Sequence, residues 1–171
     1  MALLDIRNLR IDIQTPNGLI RIVDNVSFTI DEGEICGLVG ESGSGKSLIA
    51  KVICNAFKDS WIVTADRFRF NDVELLKLTP AQRRKLVGKE ISMVFQDPFG
   101  AFNPRMNVFD TVSEALRVHE PEMPREEMRR RVEEVLKQVG LPEDALERYP
   151  HAFSGGQRQR LAIARALQAV A

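Results

Sequence analysis

An eight-residue segment near position 40 has the residue types of a phosphate-binding loop. Residues 40–47 read GESGSGKS and fit the pattern G-x-x-x-x-G-K-[ST] at every fixed position. Glycines let the backbone curl so that successive N–H groups face phosphate oxygens, and a following helix adds the positive end of its dipole. In such a loop the Lys46 ammonium reaches the β- and γ-phosphates, and the Ser47 hydroxyl is a ligand of Mg²⁺. The predicted phosphate-binding residues are Gly40, Glu41, Ser42, Gly43, Ser44, Gly45, Lys46 and Ser47.

A second segment, near position 155, has the features of an anion site at a helix N-terminus. Ser154 and Gln157 are spaced as a capping box, which predicts that a helix begins there. Gly155 and Gly156 occupy its first turn, so the N–H groups are exposed with no side chain in front of them. Helix N-termini favour anions, and we therefore predict a second anion site. The alternative is an ordinary helix cap without a ligand.

The elements that must position these segments begin with strands. Residues 3–13 and 19–30 carry strand-like apolar patterns, and a turn lies between them. The apolar run 35–39 is typical of a buried strand. A helix is predicted from about residue 46 to residue 57.

The rest of the chain is mostly helical. We predict two short strands on either side of Asp66, a basic helix opening at Pro80 and a buried strand at 91–95. Helical spacing then covers 108–118, the stretch from Pro124 to Gly140 and the segment from Ser154 to the C-terminus. The pattern predicts a nucleotide-binding α/β fold with a helical subdomain.

Composition excludes several classes of protein. The chain has 171 residues, and its 24 Lys and Arg balance its 24 Asp and Glu. The net charge is therefore zero, which favours neither nucleic acid nor a basic partner. No uncharged apolar run is long enough to span a membrane, and the N-terminus does not have the pattern of a signal peptide. We expect Cys36 and Cys54 to be buried, reduced thiols of a cytosolic protein.

Taken with the phosphate loop, two further motifs resemble those of ABC-type ATPases. Residues 153–160, FSGGQRQR, with YPHA before them and LAIARAL after them, resemble the signature motif of that family. Residues 91–98, ISMVFQDP, resemble the strand that leads into the Q-loop, with Gln96 as its glutamine. The resemblance covers essentially the whole chain. It implies an α/β P-loop NTPase fold of the ABC ATPase type, with N-terminal antiparallel strands and a helical subdomain.

Finer features resemble one branch of this family. Residues 40–47 and the run FNPRM at 102–106 are similar to the dipeptide, oligopeptide and nickel importers. The first ninety or so residues resemble most the ATPase of the Sap-type peptide transporter. This likeness implies the ATP-binding subunit of an ABC importer that energises peptide uptake from the cytoplasmic face of the inner membrane. Its implied partners are a second ATPase subunit, paired head to tail, and the permease subunits; neither nucleic acid nor the peptide is contacted directly.

The resemblance also implies roles for single residues. Residues 40–47 would bind the phosphates of ATP, and Ser47 and Gln96 would hold Mg²⁺. Ser154, Gly155, Gly156 and Gln157 would contact the γ-phosphate of the nucleotide bound by the partner. Gln96 would relay the nucleotide state to the permease subunits, and residues 99–118 would lie near the coupling helices of those subunits. Within that segment Phe99, Phe102 and Phe109 are either surface contacts or ordinary core.

The sequence departs from the family pattern in two places. No aromatic residue lies between Met1 and Ser27 to stack on adenine, which leaves apolar contact from Ile13 or Ile22. The sequence also stops directly after the signature helix, so the C-terminal core strands with their Asp-Glu pair and switch histidine are not in it. His119 and His151 precede the signature and are expected to be ordinary surface or helix-edge residues. We therefore expect no useful ATP hydrolysis by these residues alone, and exposed apolar sheet edges that give poor solubility or marginal stability.

We expect the chain to divide into three parts, and two alternative functions remain open. The expected parts are a strand and phosphate-loop core at 1–97, a helical subdomain at 98–153 and a signature helix at 154–171. One alternative is a non-catalytic nucleotide-binding or pairing module; the other is an ABC ATPase of a non-transport class. The charge run 125–134 and the cluster of Arg83, Arg84 and Lys85 are expected on solvated helix faces, with contact to anionic lipid headgroups as the alternative for the cluster. Trp61 is expected to be a packing residue.

Overall fold

The N-terminal strands form a hairpin that organises the first part of the molecule. The computed structural model describes residues 2–97, 100 and 102–170. Strands β1 (Ala2–Thr15) and β2 (Gly18–Asp31) pair antiparallel around the predicted turn. The first residues of β1 pair also with β4 (Arg67–Phe70), and its later residues with β3 (Trp61–Thr64). The short strand β5 (Val73–Glu74) pairs with β4, which gives the order β2-β1-β4-β5 with β3 beside β1.

Two helices accompany this sheet. Helix α1 (Lys46–Ile53) follows the glycine-rich loop and buries Ile49 and Val52. It ends before Phe57, four residues earlier than predicted, and Asn55 beyond it adopts a left-handed conformation. Helix α2 (Pro80–Leu86) opens at Pro80 as predicted. The chain divides into two compact units, Met1–Arg84 and Lys85–Ala171, and the first has a core built from the sheet and α1. The functional division at residues 97 and 153 stays a prediction.

The second unit is helical. Its helices are α3 (Val108–Val112), α4 (Glu114–His119), α5 (Arg125–Gln138) and α6 (Gly155–Val170). Short 3₁₀ turns at Glu143–Glu147 and Pro150–Ala152 join α5 to α6. The predicted helix at 108–118 is interrupted at the buried residue Ser113, whose hydroxyl accepts a hydrogen bond from Arg117 Nη2 at 3.0 Å. Within the described residues no helix is both long enough and apolar enough to cross a bilayer.

Two predicted buried strands are not formed. Residues 35–39 have no regular secondary structure, and Ile35 and Val39 are 99% and 91% exposed. A central strand needs hydrogen-bonding partners beside it, and none of the described strands pairs with this segment. Residues 92–95 are also irregular, and only Ile91 forms a single parallel bridge, to Val87.

Three side chains differ in burial from the prediction. Cys36 is exposed, because the strand that would have buried it is not formed, and Cys54 is half-buried beyond the end of α1. Burial raises the pKa of the Cys54 thiol. Arg83, expected on a solvated face, is buried with its guanidinium 5.4 Å from the Phe57 ring centroid. Its Nη2 donates to the Val52 carbonyl at 3.4 Å, in the last turn of α1.

Candidate functional site

The glycine-rich loop leads directly into the N-terminus of α1. Gly45 is the N-cap of the helix and has a left-handed backbone, with φ of 90°. Gly43 also has a positive φ, of 82°, which glycine adopts without the steric cost that other residues meet. The N–H groups of Lys46 and Ser47 lie in the first turn, where an α-helix offers them no acceptor. The local backbone therefore presents donors to an anion, as the sequence predicts.

The Lys46 side chain folds back over this loop. Its Nζ donates to the carbonyl oxygens of Gly40 at 2.8 Å and Glu41 at 2.6 Å, and to Ser44 Oγ at 3.2 Å. Gly40 also lies close to Ser44, so a methyl group added to Gly40 would come within 2.9 Å of Ser44 Oγ. The ammonium charge is therefore held at the loop itself, beside the helix N-terminus.

The end of the loop packs on strand β2. A methyl group on Gly45 would lie 2.7 Å from Val23 Cγ2 and 3.5 Å from both Cγ2 and the carbonyl oxygen of Ile22. No side chain larger than hydrogen fits there without movement, so both the space and the backbone angle favour glycine. Ile13 and Ile22 are the two residues predicted to give apolar contact to adenine. Ile22 lies at this contact with Gly45, whereas Ile13 is half-buried on β1, where it pairs with Ile20 and Trp61.

Gln96 lies in the irregular segment after Ile91, and its side chain is exposed. The residues that follow it are partly core. Phe102 and Phe109 are buried in the helical unit, where the guanidinium of Arg165 lies 5.2 Å from the Phe102 ring centroid. Of the two alternatives for Phe102 and Phe109, the structure therefore confirms that they are core residues. Phe99 lies outside the described residues.

The signature segment begins α6 with the predicted capping box. The Ser154 N–H donates to Gln157 Oε1 at 3.0 Å, and the Gln157 N–H donates to Ser154 Oγ at 3.3 Å. Gly155 and Gly156 are exposed, and a methyl group on either would meet no atom within 4 Å. The first turn of α6 therefore presents a bare backbone to solvent.

The site residues fall in two places. The phosphate loop belongs to the first compact unit, and Gln96 and the signature residues belong to the second. The histidines are not part of either cluster: His119 ends α4, and the exposed His151 stacks on Tyr149 with 5.8 Å between ring centroids. Trp61 stacks in the same way on Phe57, at 6.2 Å.

Sequence reasoning missed an ion pair made by Arg21, the residue that precedes Ile22 on β2. Arg21 Nε donates to Asp12 Oδ1 at 2.9 Å, and Arg21 Nη2 donates to Asp12 Oδ2 at 3.3 Å. Asp12 is buried although it is charged, and this pairing also raises the pKa of Arg21. A signal was available, because the two residues face each other when the hairpin is counted outward from its turn.

Comparisons with known proteins agree with these motifs. The family model described as "ABC transporter" matches residues 23–170. The peptide transport ATP-binding protein SapD of Haemophilus influenzae is 52% identical over 98% of this chain and 50% of its own length. The oligopeptide transport ATP-binding protein OppF of Bacillus subtilis is 41% identical over 96% of this chain and 53% of its own length. The chain thus spans about half the length of these curated relatives.

Solved structures show the same fold. A bacterial ABC transporter cassette solved as a dimer superposes with a TM-score of 0.83 at 29% identity, over 96% of this chain and 69% of that one. A second structure of the same cassette, described as a post-hydrolysis state bound to ADP and Pi, matches equally well. The α/β P-loop ATPase fold predicted from the sequence is therefore confirmed.

Proposed function

The chain belongs to the ABC transporter family, and from that premise we propose that its phosphate loop binds the triphosphate of ATP together with Mg²⁺. The proposal is supported mainly by the position of Lys46, the first residue of α1. Its ammonium lies against the Gly40 and Glu41 carbonyls, at the other end of the loop. A cation and a helix N-terminus that converge on a glycine-rich loop are suited to a polyphosphate.

Each residue of the loop has a distinct task in this proposal. The backbone N–H groups of residues 43–47 would donate to the phosphate oxygens, and Lys46 would turn from the loop carbonyls to the β- and γ-phosphates. The Ser47 hydroxyl, exposed at the first turn of α1, would bind Mg²⁺, and Gln96 would contribute a further oxygen to the metal and its water. The metal neutralises charge on the phosphates when it is bound.

The signature residues are proposed to act on a second nucleotide. Glycine is a poor helix former relative to alanine, and two glycines in succession at the start of a helix give it no side-chain contacts there. Nothing within the described chain lies near enough to Gly155 or Gly156 to require that small size. A close approach from outside the chain would require it, which supports contact between residues 154–157 and the γ-phosphate held by a partner ATPase subunit. A cassette with this fold has been solved as a dimer, which is consistent with such pairing.

We further propose that the whole protein energises peptide import. Relatives named as peptide and oligopeptide transport ATP-binding proteins match nearly all of this chain. By analogy with their names, the protein would work at the cytoplasmic face of the inner membrane, with permease subunits as partners and without touching the peptide. ATP hydrolysis, like transport, is proposed for the whole protein.

Calorimetric titration with ATP tests the nucleotide proposal. We expect saturable binding in the presence of Mg²⁺ and weaker binding when EDTA removes the metal. Lys46→Ala should abolish detectable binding, and Ser47→Ala should remove the Mg²⁺ dependence. Lys51→Ala, on the last turn of the same helix, is the matched control and should bind like the wild type. Absence of binding by the folded wild-type chain, or equal binding by Lys46→Ala, would contradict the proposal.

A further inference from the structure

Strand β2 has one residue too many where it passes the phosphate loop. Counting outward from the turn, Ile13 faces Ile20 and Asp12 faces Arg21. The next pair is Ile11 with Val23, so Ile22 has no partner on β1. This is a β-bulge, which adds a residue to one strand and redirects the side chains beyond it. Bulges of this kind are common beside functional sites.

The bulge touches the loop itself. The Ile22 carbonyl and Cγ2, together with Val23 Cγ2, are the atoms that a methyl group on Gly45 would meet. Val23 is buried and faces Ile11 in the core, so the bulge decides which side chain of β2 lies under Gly45. If the extra residue were Arg21 instead of Ile22, Ile22 would pair with Asp12, and its carbonyl and Cγ2 would leave their position against Gly45.

The Asp12–Arg21 ion pair holds the register immediately before the bulge. The guanidinium bonds both carboxylate oxygens of Asp12, at 2.9 and 3.3 Å, and this two-point geometry fixes the relative position of the strands. The Asp12 side chain is 10% exposed and the Arg21 side chain 49% exposed, so water screens the pair from the Arg21 side only. Arg21 also lies 3.5 Å from Asp24, on the other side of the bulge, and so brackets Ile22.

We propose that Asp12 and Arg21 are positioning residues, whose ion pair fixes the bulge at Ile22 and thereby seats the phosphate loop at Gly45. This inference rests on the proposed nucleotide binding. The pair touches no phosphate; it acts through β2 on the loop that does. Breaking it shifts the loop and weakens phosphate binding beyond any general loss of stability.

The same sheet offers a matched control. Asp5 pairs with Arg67 across β1 and β4, with 2.7 Å between Oδ2 and Nη1, and the Asp5 side chain is 17% exposed. This second ion pair also joins β1 to a neighbouring strand. It lies at the other end of β1 from the bulge, where β1 faces β4. Because Asp5 also lies 2.9 Å from Arg7 Nε, the loss of Arg67 should cost no more stability than the loss of Arg21, and it should not reach Gly45.

The test compares Arg21→Gln with Arg67→Gln in the whole chain. We expect Arg21→Gln to raise the Kd for MgATP by about fivefold or more, because small displacements of binding groups cost affinity steeply. Arg67→Gln should change that Kd by less than about twofold, since this pair lies at the other end of β1 and effects of distant sites are largely independent. The urea midpoint of unfolding, recorded for both variants, separates stability from affinity. Magnesium tripolyphosphate should show the same loss as MgATP, because the affected contacts are to phosphate.

Two further variants keep the inference falsifiable. Asp12→Asn preserves the shape of the side chain and should reproduce the loss if Arg21→Gln does not fold. Arg21→Lys keeps the charge but not the two-point geometry, and we expect an intermediate affinity. Equal effects of Arg21→Gln and Arg67→Gln on Kd, or wild-type affinity in Asp12→Asn, would overturn this inference while leaving the nucleotide proposal intact. The inference would also be overturned if Arg21→Gln bound MgATP more weakly than the wild type but bound magnesium tripolyphosphate equally well.

Discussion

At the residue scale, local spacing accounts for much of the chemistry. The loop lysine and the capping box are set by neighbours within a few positions, and both were predictable from the sequence. The burial of Arg83 was not, because it depends on Phe57 and Val52, which are distant in sequence. The exposure of Cys36 depends in the same way on a strand that does not form.

The capping box predicts a measurable loss on truncation. Ser154→Ala removes the acceptor of the Gln157 N–H at the start of α6, and we expect the free energy of unfolding to fall by about 1 kcal/mol. Urea denaturation measures this. Gln159→Ala, one turn into the same helix, is the control and should change stability by less than about 0.5 kcal/mol. Equal values for both variants would show that the cap does not stabilise the helix.

The two cysteines predict different thiol reactivities. Cys36 is exposed, whereas Cys54 is half-buried and burial raises its pKa, which lowers its thiolate fraction at pH 8. We expect iodoacetamide to modify Cys36 faster than Cys54 by about tenfold or more. Mass spectrometry of peptides from timed samples gives both rates in one experiment. Comparable rates would place Cys36 in a protected environment and contradict the irregular structure of 35–39.

At the element scale, the helices, the β1–β2 hairpin and the short strands beside Asp66 were predictable, whereas the strands expected at 35–39 and 91–95 did not form. The helices follow from local periodicity and the β1–β2 hairpin from its own turn. A single apolar run such as 35–39 is a strand only if another segment pairs with it, and periodicity carries no information about that partner. The bulge at Ile22 is likewise invisible in the sequence, because a register shift is a property of two strands together.

The loop glycines predict unequal costs of substitution. Gly43 and Gly45 both have left-handed backbones, so alanine at either position is strained by about 1–2 kcal/mol. At Gly45 the added methyl also meets Val23 Cγ2 at 2.7 Å, whereas at Gly43 it meets no atom within 4 Å. We expect Gly45→Ala to destabilise the chain more than Gly43→Ala, as measured by urea denaturation without nucleotide. A larger loss at Gly43 would contradict the packing of the loop on β2.

At the scale of the whole molecule, zero net charge is combined with an exposed apolar segment. Ile35 and Val39 are almost fully exposed in a stretch without regular structure, and a protein with little net charge has weak repulsion between copies. We expect the chain to self-associate in a concentration-dependent way, as measured by light scattering.

A matched pair of substitutions locates the source of that association. Val39→Lys and Val118→Lys change the net charge equally, and both valines are exposed. Only Val39 belongs to the irregular segment 35–39, whereas Val118 lies on α4. We expect Val39→Lys to reduce association strongly and Val118→Lys to reduce it only slightly. Equal effects would assign association to net charge rather than to residues 35–39.

The central claim is that residues 40–47 bind a magnesium nucleotide, and thermal unfolding with increasing MgATP tests it most directly. A ligand present at one hundred times its Kd stabilises the folded state by about 2.7 kcal/mol, which for this size corresponds to a rise in Tm of about 5–10 °C. We predict such a rise in the wild type and in Lys51→Ala, and none in Lys46→Ala. A flat Tm in the folded wild type, or the same rise in Lys46→Ala, would contradict the account.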